Sequence, residues 1–216
     1  MKTYYFLLSL FAIVFVFASC SSMEKSTGVW VNKEKIQGKS FNKIFIVVMT
    51  ANIQARAKLE TDLAAAAIAN GYNAVKSMDV MPPAFRDSST PTKEEIAGKV
   101  KESGCDAVFV ASLLRKEENV RYNPGFGAYS VMPYYSWGGR YYGYYRHWYP
   151  TVVSSPDYYT TEKTYFMQSN LYDAATEEIM WSVQSKVFDP SSLEAFSKIY
   201  MSGLIKQLES ENLLKK

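Results

Sequence analysis

The sequence predicts an α/β fold: a layered single domain with a mixed sheet of about five strands in the order β-α-β-α-β-β-β-α, an antiparallel hairpin and a carboxy-terminal helix. Three observations predict it. Continuous apolar runs alternate with segments of helical period from Lys43 to Leu114. Two strand-like runs then flank a turn, Asp173-Ala174-Ala175-Thr176-Glu177. After Pro190 the apolar residues recur at helical spacing. Helices alternating with apolar strands call for a layered sheet, and the late hairpin adds antiparallel strands to it.

The elements follow in order. Residues 21–28, Ser-Ser-Met-Glu-Lys-Ser-Thr-Gly, are small and polar and are read as a tether, with Trp30 and Val31 starting a short strand or covering an edge. Lys43–Met49 is an unbroken apolar run, as expected of a central strand covered on both faces. Ile53 to Asn70 carries Leu59, Leu63, Ala66 and Ala67 at helical spacing, and Gly71 stops it. Residues 72–77 make a second strand, completing a β-α-β unit whose crossover is expected to be right-handed. Pro82, Pro83 and Pro91 mark a loop. Thr92 then caps a helix, with Glu95 at the capping-box position and Ile96, Ala97 and Val100 on its apolar face. Asp106 to Leu114 is the third strand. Thr160 to Tyr172 alternates polar and apolar residues and pairs with Glu178 to Phe188, one face of the hairpin being expected to stay wet. The last helix opens at residues 190–194 and turns Phe196, Ile199, Tyr200, Leu204 and Leu208 inward.

Ahead of the fold stands a leader. Lys2 precedes an uncharged run from Tyr4 to Phe17, and Ala18 and Ser19 lead into Cys20. A charged start, an apolar core and a small-residue cleavage site make a secretory signal, and the run is shorter than the roughly 20 residues of a bilayer span. The cysteine at its end resembles the lipobox of bacterial lipoproteins. That resemblance implies cleavage before Cys20 and acylation of its thiol and new amino group, hence a membrane partner through acyl chains on Cys20. Ser21 stands where an Asp retains lipoproteins in the inner membrane of enteric bacteria, which by the same resemblance favours the outer membrane, on its periplasmic or surface face.

Domain organisation follows as 1–19 signal peptide, 20–41 lipidated cysteine, tether and short strand, and 42–216 the α/β domain. Cleavage leaves 216 − 19 = 197 residues, enough for one domain with a real core. The formal net charge falls from +3 to +2 on losing Lys2, and such balance argues against a nucleic-acid partner. With Cys20 acylated, Cys105 is left without an intramolecular partner and is read as a buried, inert thiol.

Several local phrases are similar to bacterial envelope lipoproteins related to the amino-terminal module of TolB and to the curli-secretion and penicillin-binding-protein-activator lipoproteins. They are the strand Lys43–Met49, Leu59-Glu60 with Leu63, Gly71-Tyr72, Ser103-Gly104-Cys105-Asp106-Ala107-Val108, and the stretch from Leu171 to Trp181. The similarity covers residues 42–118 and 160–210. It implies a fold, and members that act as scaffolds, secretion pores or activators of cell-wall enzymes.

A Tyr/Gly-rich insertion at about residues 120–158 has no place in that pattern. Between Tyr122 and Tyr159 lie eleven of the seventeen tyrosines, plus Trp137 and Trp148, and no carboxylate occurs from Tyr122 through Pro156. The candidate contact residues are Tyr134, Tyr135, Trp137, Arg140, Tyr141, Tyr142, Tyr144, Tyr145, Arg146, His147 and Trp148. Tyrosine gives a large flat face and a hydroxyl at low rotamer entropy, which suits recognition. Four readings stand: stacking on peptidoglycan or other glycans, docking on an envelope protein, contact with lipid headgroups, or a loop packed on its own fold.

The residues for conventional catalysis are sparse. The one histidine, His147, lies in the tract, so no His/Cys zinc set can be assembled. Gly-x-Ser-x-Gly and the phosphate-binding Gly-x-x-x-x-Gly-Lys-Ser/Thr are missing from the sequence. Glu94-Glu95, Glu117-Glu118 and Glu177-Glu178 sit at a helix start, a strand end and a turn, where solvated carboxylates are routine. The sequence thus points to a non-catalytic, lipid-anchored envelope protein without a cofactor, binding a protein or glycan partner as an assembly or accessory factor. The alternatives are a subunit of an oligomeric secretion or export assembly and a cell-wall-modifying enzyme.

Overall fold

In the computed structural model, residues 25–36, 38–81, 92–118, 143 and 162–214 are described. The leader, Cys20 and every candidate contact residue of the aromatic tract lie outside them. The elements are β1 (Lys25–Val31), α1 (Lys33–Ile36), β2 (Lys43–Met49), α2 (Ile53–Ala69), β3 (Asn73–Lys76), α3 (Ser77–Val80), α4 (Lys93–Glu102), β4 (Ala107–Glu118), β5 (Lys163–Asp173), β6 (Ile179–Phe188) and α5 (Leu193–Ser210). The strands form one mixed sheet in the order β1-β6-β5-β4-β2-β3. β2 runs parallel to both β3 and β4, while β5, β6 and β1 add antiparallel neighbours.

Two layers cover this sheet because its strands are apolar on both faces. α2 and α5 pack Leu59, Leu63, Phe196, Tyr200 and Leu204 onto Ile46, Val48, Phe109 and Trp181. On the opposite face α4 seats Ile96 and Val100 against Phe45, Val47, Val108 and Val110. α4 begins as its sequence dictates: the Thr92 hydroxyl accepts the Glu95 N–H at 3.2 Å, and the Glu95 carboxylate accepts the Thr92 N–H at 2.7 Å. α2 ends at Gly71, whose φ of +81° only glycine adopts without strain. Asp106 locks the entry to the sheet, its carboxylate accepting the N–H groups of Asn42 (2.8 Å) and Lys43 (3.0 Å).

Three expectations are corrected. Among the described residues the sheet has six strands, in keeping with the expected mixed sheet of about five, but Lys25–Gly28, read as tether, belong to β1. They are small and polar because β1 is an edge strand on β6, with a register shift between Ser26 and Gly28, and an edge strand needs no apolar run. Ser77–Val80 forms a helical turn that the proline-marked loop had hidden. The hairpin has no simple wet face: Gln168, Ser169 and Asn170 are all buried. β5 is central, between β4 and β6, so most of its buried polar groups find partners within the fold, although Gln168 Oε1 has none among the described residues. Ser182 donates to Asn170 Oδ1 at 2.7 Å, Asn170 Nδ2 donates to the Tyr172 hydroxyl at 2.9 Å, and the Ser169 and Tyr200 hydroxyls meet at 2.6 Å.

A buried carboxylate ties α2 to the sheet. Glu60 is fully inaccessible and accepts hydrogen bonds from Arg56 Nε (3.0 Å), the Ser77 hydroxyl (2.6 Å), Met78 N–H (2.8 Å) and Val48 N–H (3.2 Å). Arg56 Nη2 also donates to Ser77 Oγ at 2.7 Å, closing the ring of partners.

Candidate functional site

In doubly wound α/β sheets, crevices open outside the carboxyl ends of parallel strands where the strand order reverses. Here that point lies between β2 and β4. A cleft of about 420 Å³ opens there, lined from the β2–α2 loop, β4, the start of β5 and the β6–α5 loop. Its floor is apolar, from Val48, Met49, Leu59, Leu113, Met167 and Phe196. Thr50, Asn52, Gln54, Lys116, Lys163, Tyr165, Ser191 and Ser192 supply the polar part, and no carboxylate lines it among the described residues.

Local sequence explains that polarity. Asn52 and Ser192 are the N-caps of α2 and α5, accepting the N–H groups of Ala55 (3.0 Å) and Ala195 (3.1 Å). Two helix starts therefore border one cleft, and each brings partial positive charge. The start of α5 already holds a carboxylate: Glu194 sits below its ordinary value, chiefly through its own backbone N–H and then the Ser192 hydroxyl. Lys116 is engaged by Glu118 at 2.9 Å, and its ammonium stands 5.9 Å from the centre of the Tyr165 ring. The mouth is braced where β5 meets the end of β6, since Lys163 N–H donates to Asp189 Oδ1 at 3.1 Å. An aromatic face beside hydroxyl, amide and ammonium donors over an apolar floor can stack and hydrogen-bond a polar ligand.

Every sequence-predicted contact residue, Tyr134 through Trp148, lies outside the described residues, as does Cys20. What the structure does place are the strands on either side of the tract: β4 ends at Glu118, opposite Lys163 at the start of β5, and Lys116 and Lys163 line the cleft. The cleft itself was missed from sequence, although Thr50-Ala51-Asn52 after one parallel strand, with another parallel strand ending nearby, is its signal.

Most of the paired carboxylates have structural partners. Glu95 closes the capping box, Glu117 pairs with Arg115 (2.8 Å), Glu177 with Lys93 (3.5 Å) and Glu178 with Lys35 (2.8 Å). Cys105 is part-buried, and desolvation first, with Asp106 adding and Lys43 opposing, pushes its thiol up to about 11. It is therefore a neutral thiol at physiological pH. Among the described residues no group of three or more His, Cys, Asp or Glu side chains is placed to hold a metal ion, and no helix is long and apolar enough to cross a membrane.

No family model matches this chain, and no curated protein matches it by sequence. Solved structures that it is similar to include a PelC dodecamer from Paraburkholderia phytofirmans, at 12% identity and TM-score 0.40, over 82% of this chain and 94% of that one. Lipoprotein GNA1162 from Neisseria meningitidis is similar at 13% identity and TM-score 0.41, over 78% and 99%. The LpoB C-terminal domain from Escherichia coli is similar at 15% identity and TM-score 0.35, over 71% and 90%. One of these neighbours is itself a lipoprotein. At TM-scores of this size no site, partner or activity passes from them to this chain.

Proposed function

We propose that this chain is a non-catalytic, lipid-anchored protein of the bacterial envelope. It binds a glycan or protein partner as an accessory or assembly factor, with Cys20 as its anchor. One observation carries the binding role: Lys116 near the end of β4 and Lys163 at the start of β5 line the cleft, and the Tyr/Trp-rich tract is the stretch of sequence between these two strands. Tract and cleft are then two parts of one contact surface, the tract supplying aromatic faces and the cleft hydroxyl, amide and ammonium donors. Glycan rings bind by this combination of stacking and hydrogen bonding, and protein anchors such as Trp and Arg fill apolar clefts of this kind.

The test is retrieval of partners from detergent-solubilised envelope and from purified peptidoglycan. It compares the mature chain with a version whose residues 124–156 are replaced by a short Gly/Ser linker, both first shown to fold. Loss of a specific partner along with the tract supports the reading and gives the partner's class. Retention of the same partner refutes the role of the tract.

A further inference from the structure

We infer that the end of the sheet bearing the cleft docks on the lipid headgroup layer, held there by a leash of only four residues. The inference rests on the reading that Cys20 is acylated. β1 begins at Lys25, so residues 21–24 alone separate the anchored cysteine from the sheet. Fully extended, the five Cα–Cα steps reach at most about 18 Å.

Strand register says which end that leash permits. Lys25 pairs with Lys186, Lys186 with Phe166, and Phe166 with Arg115, one row across four strands. From that row β4 continues to Glu118, three residues or roughly 10 Å towards the cleft. In the other direction it runs back to Ala107, opposite Asp173, eight residues or roughly 26 Å away. With the far end on the bilayer, Lys25 would stand about 26 Å above the surface, beyond an 18 Å leash. With the cleft end down the leash reaches with slack.

The chemistry of that end suits headgroup depth. Phe188 is 41% exposed there. The Arg115 guanidinium lies 3.7 Å from the centre of the Phe166 ring, and the Lys186 ammonium stands 5.0 Å from the same centre. Cations on long apolar stems beside aromatic rings are favoured at the membrane–water interface. Glu117 and Glu118 are paired with Arg115 and Lys116, so their charge does not oppose the contact. β4 ends and β5 begins on this side.

The experiment uses the full acylated protein carrying Cys105→Ala, with a fluorophore on Ser191→Cys at the cleft end or on Ala175→Cys in the opposite turn. Both positions are exposed. The protein is reconstituted in phosphatidylethanolamine/phosphatidylglycerol vesicles containing lipid with a nitroxide on its headgroup. The Ser191 probe is expected to be quenched several-fold more than the Ala175 probe. A Gly/Ser stretch inserted after Ser22 should abolish that difference. Equal quenching, stronger quenching at Ala175, or a difference that survives the insertion overturns the proposal. Intact-mass measurement separates the two readings. An unmodified Cys20 removes the anchor and the docking together, whereas an acylated Cys20 without selective quenching at Ser191 removes the docking alone.

Discussion

Replacing Glu60 with alanine tests the most concentrated set of polar contacts in the fold. The substitution removes the acceptor for Val48 N–H, Met78 N–H, the Ser77 hydroxyl and the Arg56 guanidinium in one step. The Arg56 side chain, 11% exposed, is left as a nearly buried cation without its carboxylate. Breaking a buried pair from one side costs about 3–5 kcal/mol, because the stranded charge keeps its desolvation penalty. The orphaned neutral donors add to it, by about 1–3 kcal/mol for each that water cannot reach. A loss of about 4 kcal/mol is the working figure, and it equals a fall in Tm of roughly 8–16 °C for a chain of this size. Urea and thermal melts of the unlipidated mature chain measure it. Arg56→Met combined with Glu60→Met strands no charge and is expected to lose less than Glu60→Ala alone. A loss below about 1 kcal/mol for Glu60→Ala, or a double variant worse than Glu60→Ala, refutes the reasoning.

Three further predictions concern stability. Burial raises the Asp173 carboxyl, but the hydrogen bond from Lys39 and the N–H of Thr176 outweigh it and hold the group below its ordinary 3.8. Its contribution is therefore complete above pH 3.8 and is lost as pH falls through the lower folded value. The gap in urea midpoint between wild type and Asp173→Asn should be widest near neutrality and shrink in acid; a constant gap refutes this. Gly98→Ala, in the interior of α4 where a Cβ meets nothing within 4 Å, should add about 0.5–1 kcal/mol. Gly104→Ala has equal room but a φ of +62°, and should lose about 1 kcal/mol, so thermal melts that rank the pair the other way contradict the backbone argument. Tyr200→Phe leaves the Ser169 hydroxyl unpaired in the core and should cost about 1–3 kcal/mol by urea melt, a neutral result showing that water reaches the site.

Particular residues show how far the sequence could be read. Thr92 and Glu95 announce a helix start because both halves of a capping box lie within four residues of chain. The Lys43–Met49 run announces a central strand because only burial on both faces tolerates it. Glu60 announces nothing. It lies beside Leu59 in a helix, and its partners Ser77 and Met78 are 17 and 18 residues away. Gln168 and Asn170 mimic a wet strand face, and only the neighbours Ser182 and Tyr172 make them a buried network. Lys25–Gly28 carry no strand pattern, since an edge strand takes its order from β6.

Local rules therefore determined most of the element types, the capping box at Thr92 and the α/β class, because each is written in residues a few positions apart. Tertiary structure decided the strand order, the addition of β1, the burial of Glu60 and the cleft between β2 and β4. Those features join segments separated by tens to more than a hundred residues. Asn52 and Ser192, 140 positions apart, border one cleft only because two helices start at the same end of a sheet whose register no short stretch of chain contains.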